Sequence, residues 1–387
     1  MLNQEQQKIA DALLKYLHNN TEASLAGSAG TGKTYTAISL ARSYKGSVTL
    51  SATTNKAVSV LKEFGGAFLG RPMTVHSFLG LKLEWSRGKY KLIQDPDKIN
   101  ETDLLIVDES SMIDSELYTH IQAALWSDRV KNVLFIGDPY QLPPISKSSL
   151  DFLETTPFKL QDIVRQEQNN PIILQATRIR ELIQSKSNTL YNIEEISPHI
   201  TVTTNYKTWL DEFINNEGSK SILSFLNSVV DNHNFTIRRI LKPDAKEFEE
   251  GESIIAQEVY EKDGNILITN GEELIVDRAC LQDGFWEIVD IEGRRFNTPS
   301  IHHKQRLKKD LEELYTKKAW EAYKELKSYF LTVKYAYACT IHKSQGSSWE
   351  SVYIDLRYMG SKIDTEMKNR LIYVALTRAS KSVKVLL

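Results

Sequence analysis

Ala23-Ser-Leu-Ala-Gly27-Ser-Ala-Gly30-Thr-Gly32-Lys33-Thr34-Tyr35 is the stretch on which the reading of this chain turns. Ala23–Leu25 reads as a short buried strand, and helical spacing follows Lys33. Between them Gly27–Thr34 has the form G-x4-G-K-[ST]. Glycines allow backbone N–H groups to approach phosphate oxygens, the lysine reaches the β and γ phosphates, and the threonine hydroxyl suits Mg²⁺. The strand-to-helix placement separates this loop from a chance glycine-rich turn. It predicts a nucleotide triphosphate held by Gly27, Gly30, Gly32, Lys33 and Thr34.

The surroundings repeat the alternation. Leu2–Leu17 carries Ile9, Leu13, Leu14 and Leu17 at helical spacing. Val48–Ala52, Leu104–Val107 and Val133–Ile136 read as buried strands separated by helical stretches, so the expected fold is α/β with a parallel sheet and its loops of interest at the strand ends. Leu104-Leu-Ile-Val-Asp108-Glu109 then supplies two carboxylates at such an end. Asp108 is the expected Mg²⁺ partner of Thr34, and Glu109 the group that orients and deprotonates an attacking water.

With 387 residues, more than one domain is expected. The 48 Lys+Arg against 50 Asp+Glu exclude a binder that works by bulk positive charge, though not one that lines a single channel with cations. Two cysteines, Cys280 and Cys339, exclude a disulfide framework and a four-cysteine metal site. No run approaches the roughly 20 apolar residues of a membrane span, and the N-terminal stretch lacks a signal-peptide pattern. The expected location is the cytoplasm.

Leu81–Trp85 and Lys89–Ile93 read as a β-hairpin inserted in the first half, at about 81–100. A second α/β half begins near Leu150, with strands at Ser221–Phe225 and Val352–Ile354. Lys242–Glu252 interrupts it, and short strands follow at Ser253–Ala256, Glu272–Val276 and Trp286–Val289 with Asn-Gly and Asp-Gly turns. His302–Phe330 reads as one charged helix with Leu307, Leu311, Leu314 and Leu326 on one side, the expected arm of an inserted β-rich module.

Further segments resemble the motifs of superfamily 1 helicases. Val133–Pro144, with Gly137-Asp-Pro-Tyr-Gln141-Leu-Pro143-Pro, is similar to motif III, and its Gln-Leu-Pro ending resembles the RecD-like, 5′→3′ branch, superfamily 1B. Thr340-Ile-His342-Lys-Ser-Gln-Gly346-Ser resembles motif V, and Tyr373-Val-Ala-Leu-Thr-Arg378-Ala resembles motif VI. Thr53-Thr54-Asn-Lys-Ala and Thr74-Val-His76-Ser77 resemble motifs Ia and Ib; Leu2-Asn-Gln-Glu-Gln6 is similar to the Q motif. These stretches follow the family's order over nearly the whole chain, and the size and insertions are most similar to the phage Dda helicases.

The resemblance implies two RecA-like P-loop domains with parallel sheets, an inserted β-hairpin, and an inserted small β-barrel module with a helical arm. On that basis residues 1–149 form the first motor domain, 150–240 with 335–387 the second, and 241–334 the inserted module. It implies ATP and Mg²⁺ as cofactors. Gln6, Tyr35 and Gly346 join the nucleotide site, with the Gln6 amide suited to an adenine edge. Gln141 senses the γ-phosphate or the attacking water, and Arg165 and Arg378 act as arginine fingers. Thr53, Thr54, His76, Ser77, Pro143, Asn227, Thr340 and His342 are the implied single-strand contacts. Trp85, in the hairpin, is expected either to split the duplex as a pin or to pack on the domain body. The helical arm is either a solvated helix or a brace.

The implied protein is a monomeric DNA helicase of a bacterial or phage-infected cytoplasm. Its partners are single-stranded DNA, single/double-strand junctions and a single-strand-binding or replication protein, in replication, recombination or repair. Ser348 stands where relatives carry a Glu toward the ribose, so use of dATP is also expected. A P-loop ATPase that remodels protein complexes without nucleic acid is the alternative. A binding module with a silent ATP site is disfavoured by the full set Lys33, Glu109, Gln141 and Arg378.

Overall fold

The structure is a computed structural model that describes residues 2–65, 71–86, 89–144, 150–162, 170–262, 265–360 and 363–387. The chain forms two compact units, Met1–Asn205 with Ser344–Leu387, and Tyr206–Lys343. The carboxyl-terminal segment therefore groups with the phosphate loop.

The first unit is built around a six-stranded parallel sheet. Its strands are β1 (Glu22–Gly27), β2 (Val48–Ala52), β3 (Met73–Thr74), β6 (Thr102–Asp108), β7 (Val130–Gly137) and β8 (Lys159–Leu160), after the hairpin β4 (Leu81–Ser86) and β5 (Lys89–Gln94) is set aside. The order is β3-β2-β6-β7-β1-β8. Helices α1 (Gln4–Leu17), α2 (Lys33–Ser43), α3 (Asn55–Gly65), α4 (Val75–Phe78), α5 (Ser115–Trp126), α6 (Phe152–Thr155) and α7 (Pro171–Gln184) complete the run to β9 (Ile200–Thr203). Alternation along β6 shows why the sheet needs two covers. Leu104 and Ile106 join a core with residues of α1, α2 and α3, whereas Leu105 and Val107 join a second core with Phe78 and with Leu117 and Ile121 of α5. A strand buried on both faces reads as a continuous apolar run, as β6 does.

The hairpin pairs antiparallel, with Trp85 opposite Tyr90 and Ser86 opposite Lys89 along the backbone. The Trp85 side chain lies outside the described residues, as does the whole of Arg165.

The second unit holds α8 (Tyr206–Asn215), β10 (Lys220–Ser224), α9 (Asn227–Leu241) and the strands β11 (Ser253–Ala256), β12 (Tyr260–Lys262), β13 (Asn265–Ile268), β14 (Glu273–Gln282), β15 (Phe285–Asp290), β16 (Arg295–Pro299), β17 (Val333–Tyr335) and β18 (Ala338–Thr340). β10 and β18 pair in parallel. β16-β15-β14-β11-β17 form an antiparallel sheet, and β12-β13 a separate ribbon. Phe330, just before β17, bridges to Asn297 in β16, so the two edges of the sheet meet around a core that includes Phe248, Leu274, Trp286 and Phe296.

The single helix expected over His302–Phe330 is two helices, α10 (Ile301–Thr316) and α11 (Trp320–Tyr329). Lys318 adopts φ 56°, the Lys318 N–H donates to the Tyr315 carbonyl, and the Ala319 N–H donates to the Leu314 carbonyl. That paired closure is a Schellman stop, made here with a lysine where glycine is usual, so leucine spacing alone does not reveal it. Tyr315 then contacts Trp320 and Tyr323 edge-on across the turn, at ring separations of 5.5 and 6.3 Å.

The remaining strands, β19 (Trp349–Asp355) and β20 (Ala379–Leu386), with α12 (Thr365–Thr377) between them, return to the first unit. β20 lies between β19 and β9, all parallel. The architecture is α/β with parallel sheets, as expected.

Candidate functional site

The phosphate loop joins β1 to α2. Gly30 and Gly32 have φ of 83° and 78°, and a Cβ on Gly32 would stand 2.5 Å from the Gln6 amide nitrogen. At Gly27 a Cβ would meet the Thr31 hydroxyl at 2.7 Å and the Leu160 carbonyl at 3.0 Å. These positions leave backbone where side chains would stand, which makes a cradle for an anionic group. Lys33 Nζ donates to the Ser28 carbonyl at 2.9 Å. Thr34 Oγ1 donates to Asp108 Oδ2 at 2.7 Å. A hydroxyl and a carboxylate at this separation are hard oxygen donors of the kind Mg²⁺ takes beside substrate phosphates.

Gln6 is buried, 3 % exposed. It closes the capping box of α1: its N–H donates to Asn3 Oδ1 at 2.8 Å, and its Oε1 accepts from the Asn3 N–H at 3.0 Å. Its Nε2 donates to the Thr31 carbonyl at 3.0 Å, so the residue supports the phosphate loop directly.

Glu109 follows Asp108 in the left-handed region, φ 52° and ψ 38°. Its N–H donates to Asp108 Oδ1 at 2.8 Å. Burial, and next the Asp108 charge, push the Glu109 carboxyl above its ordinary range, while the charges of Arg378 and Lys33 act in the opposite sense. Burial raises Asp108 too, against the Thr34 hydroxyl and the Glu109 N–H. Two neighbouring desolvated carboxylates with cations beside them both hold a proton more readily than free carboxyls, a perturbation typical of groups that take part in chemistry.

Asp138, Gln141 and Arg378 are 0 %, 4 % and 5 % exposed. Asp138 accepts from the Tyr373 hydroxyl at 2.6 Å, and Gln141 Oε1 accepts from Gln345 Nε2 at 3.3 Å. Arg378 caps α12 and donates to the carbonyls of Val374 at 3.2 Å and Ser347 at 3.4 Å. A pocket is lined by Ser28, Ala29 and Gly30 of the loop together with Arg180, Ser348 and Arg378. Within this pocket the Ser28 hydroxyl is buried and has no hydrogen-bond partner among the described residues. An unanswered donor beside a glycine cradle and two guanidinium groups fits a polyphosphate.

The structure thus gathers Gln6, Gly27, Gly30, Gly32, Lys33, Thr34, Asp108, Glu109, Gln141 and Arg378 in one unit, with Tyr35 exposed on the first turn of α2. Gly346, φ 77°, packs against α3, where a Cβ would lie 3.3 Å from the Ala57 N–H. Sequence reading missed Arg180 and Arg370 altogether. It quoted Tyr373 and Gln345 inside motifs without giving them a role.

The expected strand contacts divide between the units. Thr53 donates to the Glu109 carbonyl at 3.1 Å, and Thr54 Oγ1 accepts from the Ala57 N–H at 3.2 Å, which leaves its own proton for another acceptor. Thr74 caps α4, accepting from Ser77 N at 3.1 Å, with Ser77 exposed and His76 half-buried. Burial holds the His76 imidazole below its ordinary pKa. Pro143 is half-buried. In the second unit Asn227 is exposed at the start of α9, and His342 lies 6.0 Å from the Phe225 ring with its pKa lowered by burial. Thr340 is buried, accepting from Lys343 N at 3.3 Å.

Residues 1–192 match the family described as AAA domain, and residues 335–386 match the UvrD-like helicase C-terminal domain. The chain is 24 % identical to the ATP-dependent DNA helicase dda of Enterobacteria phage T4, over 91 % of each chain. It is 27 % identical to the ATP-dependent RecD2 DNA helicase of Deinococcus radiodurans, over 98 % of this chain and 48 % of that one, so it spans about half of that relative. Among solved structures it resembles the Pif1 helicase from Bacteroides, crystallised with ADP-AlF3 and ssDNA. The TM-score is 0.58 at 18 % identity, covering 100 % of this chain and 92 % of the other.

Proposed function

Because the chain belongs to superfamily 1B, the RecD-like helicases, we propose that it is an ATP-driven motor that moves 5′→3′ on single-stranded DNA and unwinds duplex DNA. The observation that carries this reading is one buried corner, where Thr34 meets Asp108 at 2.7 Å and Glu109 lies under the charges of Arg378 and Lys33. Mg²⁺, when bound with ATP, supplies charge neutralisation at the phosphates.

Thr34 and Asp108 hold that ion. Lys33 and the loop amides hold the β and γ phosphates. Glu109 orients the attacking water and takes its proton as the new P–O bond forms and the bond to ADP breaks. Gln141 positions that water, and Arg378 and Arg165 stabilise charge on the transferring group. Gln6, Tyr35 and Gly346 complete the nucleotide site. Thr53, Thr54, His76, Ser77, Pro143, Asn227, Thr340 and His342 track the strand without reading its sequence, and Trp85 is the pin at the junction. Polarity rests on the Gln141-Leu142-Pro143 ending.

In this reading residues 1–149 and the pair 150–240 and 335–387 are the two motor domains, and 241–334 the inserted module. The protein acts as a monomer at single/double-strand junctions in replication, recombination or repair, with a single-strand-binding or replication protein as partner, in a bacterial or phage-infected cytoplasm. No helix among the described residues is long and apolar enough to cross a membrane.

Matched duplexes with a 5′ or a 3′ single-stranded tail test the proposal, with ATP and Mg²⁺ present and Lys33→Ala as the blank. Opening of the 5′-tailed duplex alone is expected. Opening of the 3′-tailed one alone overturns the polarity. ATP hydrolysis that needs no DNA and opens neither duplex overturns the motor and favours a protein-remodelling ATPase.

A further inference from the structure

We propose that Arg370 and Tyr373 are positioning residues that clamp the Asp138–Gln141 turn onto α12, so that Gln141 and Arg378 meet the terminal phosphate as one unit. The inference rests on the nucleotide reading above and adds two residues to it. Arg370 and Tyr373 stand three apart on α12 and so share a face. The Arg370 side chain is 13 % exposed. Its Nη1 donates to the carbonyls of Pro139 at 2.7 Å and Gln141 at 2.8 Å, and its Nε is aimed by Glu366, one turn earlier, at 3.0 Å. Tyr373 donates to Asp138 Oδ2, and the other oxygen of that carboxylate accepts from Tyr140 N at 3.0 Å. Gln141 N closes the turn on the Asp138 carbonyl at 3.2 Å.

The carbonyls of Pro139 and Gln141 and both oxygens of the Asp138 carboxylate are therefore answered from α12 or from the turn itself. The helix ends at Arg378, whose charge acts on Glu109. Gln141 and Arg378 thus sit at two ends of one hydrogen-bonded body, and a shift of α12 moves both. Burial and the Asp138 charge push the Tyr373 hydroxyl well above its ordinary pKa, which keeps it a donor. A guanidinium reaches two neighbouring carbonyls from fixed positions, whereas an ammonium is a single point of charge.

The test is steady-state ATP hydrolysis by Arg370→Ala, Arg370→Lys and Tyr373→Phe, with and without a saturating oligo-dT strand, and thermal unfolding of each. A positioning role lowers kcat roughly tenfold or more in Arg370→Ala and Tyr373→Phe and leaves KM for ATP within about twofold, since a small displacement of reacting groups costs rate before binding. Arg370→Lys recovers only a minor part. The clamp is overturned if kcat holds in both variants, if KM rises while kcat stays, or if lysine restores the full rate. Should Arg370→Ala fail to fold, Tyr373→Phe, which removes one oxygen, decides the matter. A wild-type protein without DNA-stimulated hydrolysis counts against the motor reading, and the clamp is then judged on the unstimulated kcat.

Discussion

The corner around Glu109 and the paired helices α10 and α11 use the same kinds of residue to opposite ends. In the corner Asp138, Gln141 and Arg378 are almost wholly buried, and each is met by protein atoms. In the helical pair no residue of either helix is buried, and Lys308–Glu312 and Lys317–Glu313 form exposed pairs four residues apart. A charge taken out of water acts strongly on its neighbours, whereas one left in water is screened. Charged residues therefore say little by their number; what sets the corner apart is that its charges are desolvated.

That contrast can be broken in order of effect. Glu109→Gln is expected to lower ATP turnover by about 10²- to 10⁴-fold, the range for loss of a general base. It is also expected to raise thermal stability at neutral pH. Burial raises the Glu109 pKa above its unfolded value, so its contribution to stability is present in acid and lost as pH rises through the folded pKa. An amide that cannot ionise escapes that loss. A calorimetric comparison at two pH values checks both the sign and its disappearance in acid; a variant less stable at neutral pH would contradict the buried-carboxylate account. The same shift predicts that wild-type turnover declines, as pH falls, at a midpoint above the ordinary glutamate value of about 4.3, and a pH–rate profile locates it.

The contrast sharpens within the second unit. Arg238 and Glu252 form a buried pair at 2.9 Å, with side chains 8 % and 1 % exposed. Arg238→Ala leaves Glu252 buried and should cost about 3–5 kcal/mol in denaturant unfolding. The lower end is favoured because Lys242 Nζ stands 3.9 Å from the same carboxylate. At the bottom of the scale, Glu313→Ala on the helical pair should leave the unfolding midpoint within experimental scatter. A clear drop there would show that the arm's charges do more than face solvent.

Much of the corner was legible because its spacing is local. Gly27–Thr34 and Asp108-Glu109 announce themselves over a few residues, and the β2 and β11 boundaries follow from short apolar runs. The Tyr373–Asp138 bond joins residues 235 apart and the Gln345–Gln141 bond residues 204 apart, separations at which no periodicity survives. Arg370 and Arg180 look like ordinary polar positions of amphipathic helices until their partners are placed. The stop at Lys318 was hidden for another reason: a lysine in the left-handed region carries no composition signal where a glycine would have.

Gln6 has a practical consequence for anyone trimming this protein. It ties the first turn of α1 to the Thr31 carbonyl and relies on Asn3 to hold its other end. A shortened chain that starts at Glu5 would keep the helix and the whole phosphate-loop sequence yet lose the Asn3 anchor. Such a preparation is expected to keep its fold and hold the phosphate loop less firmly.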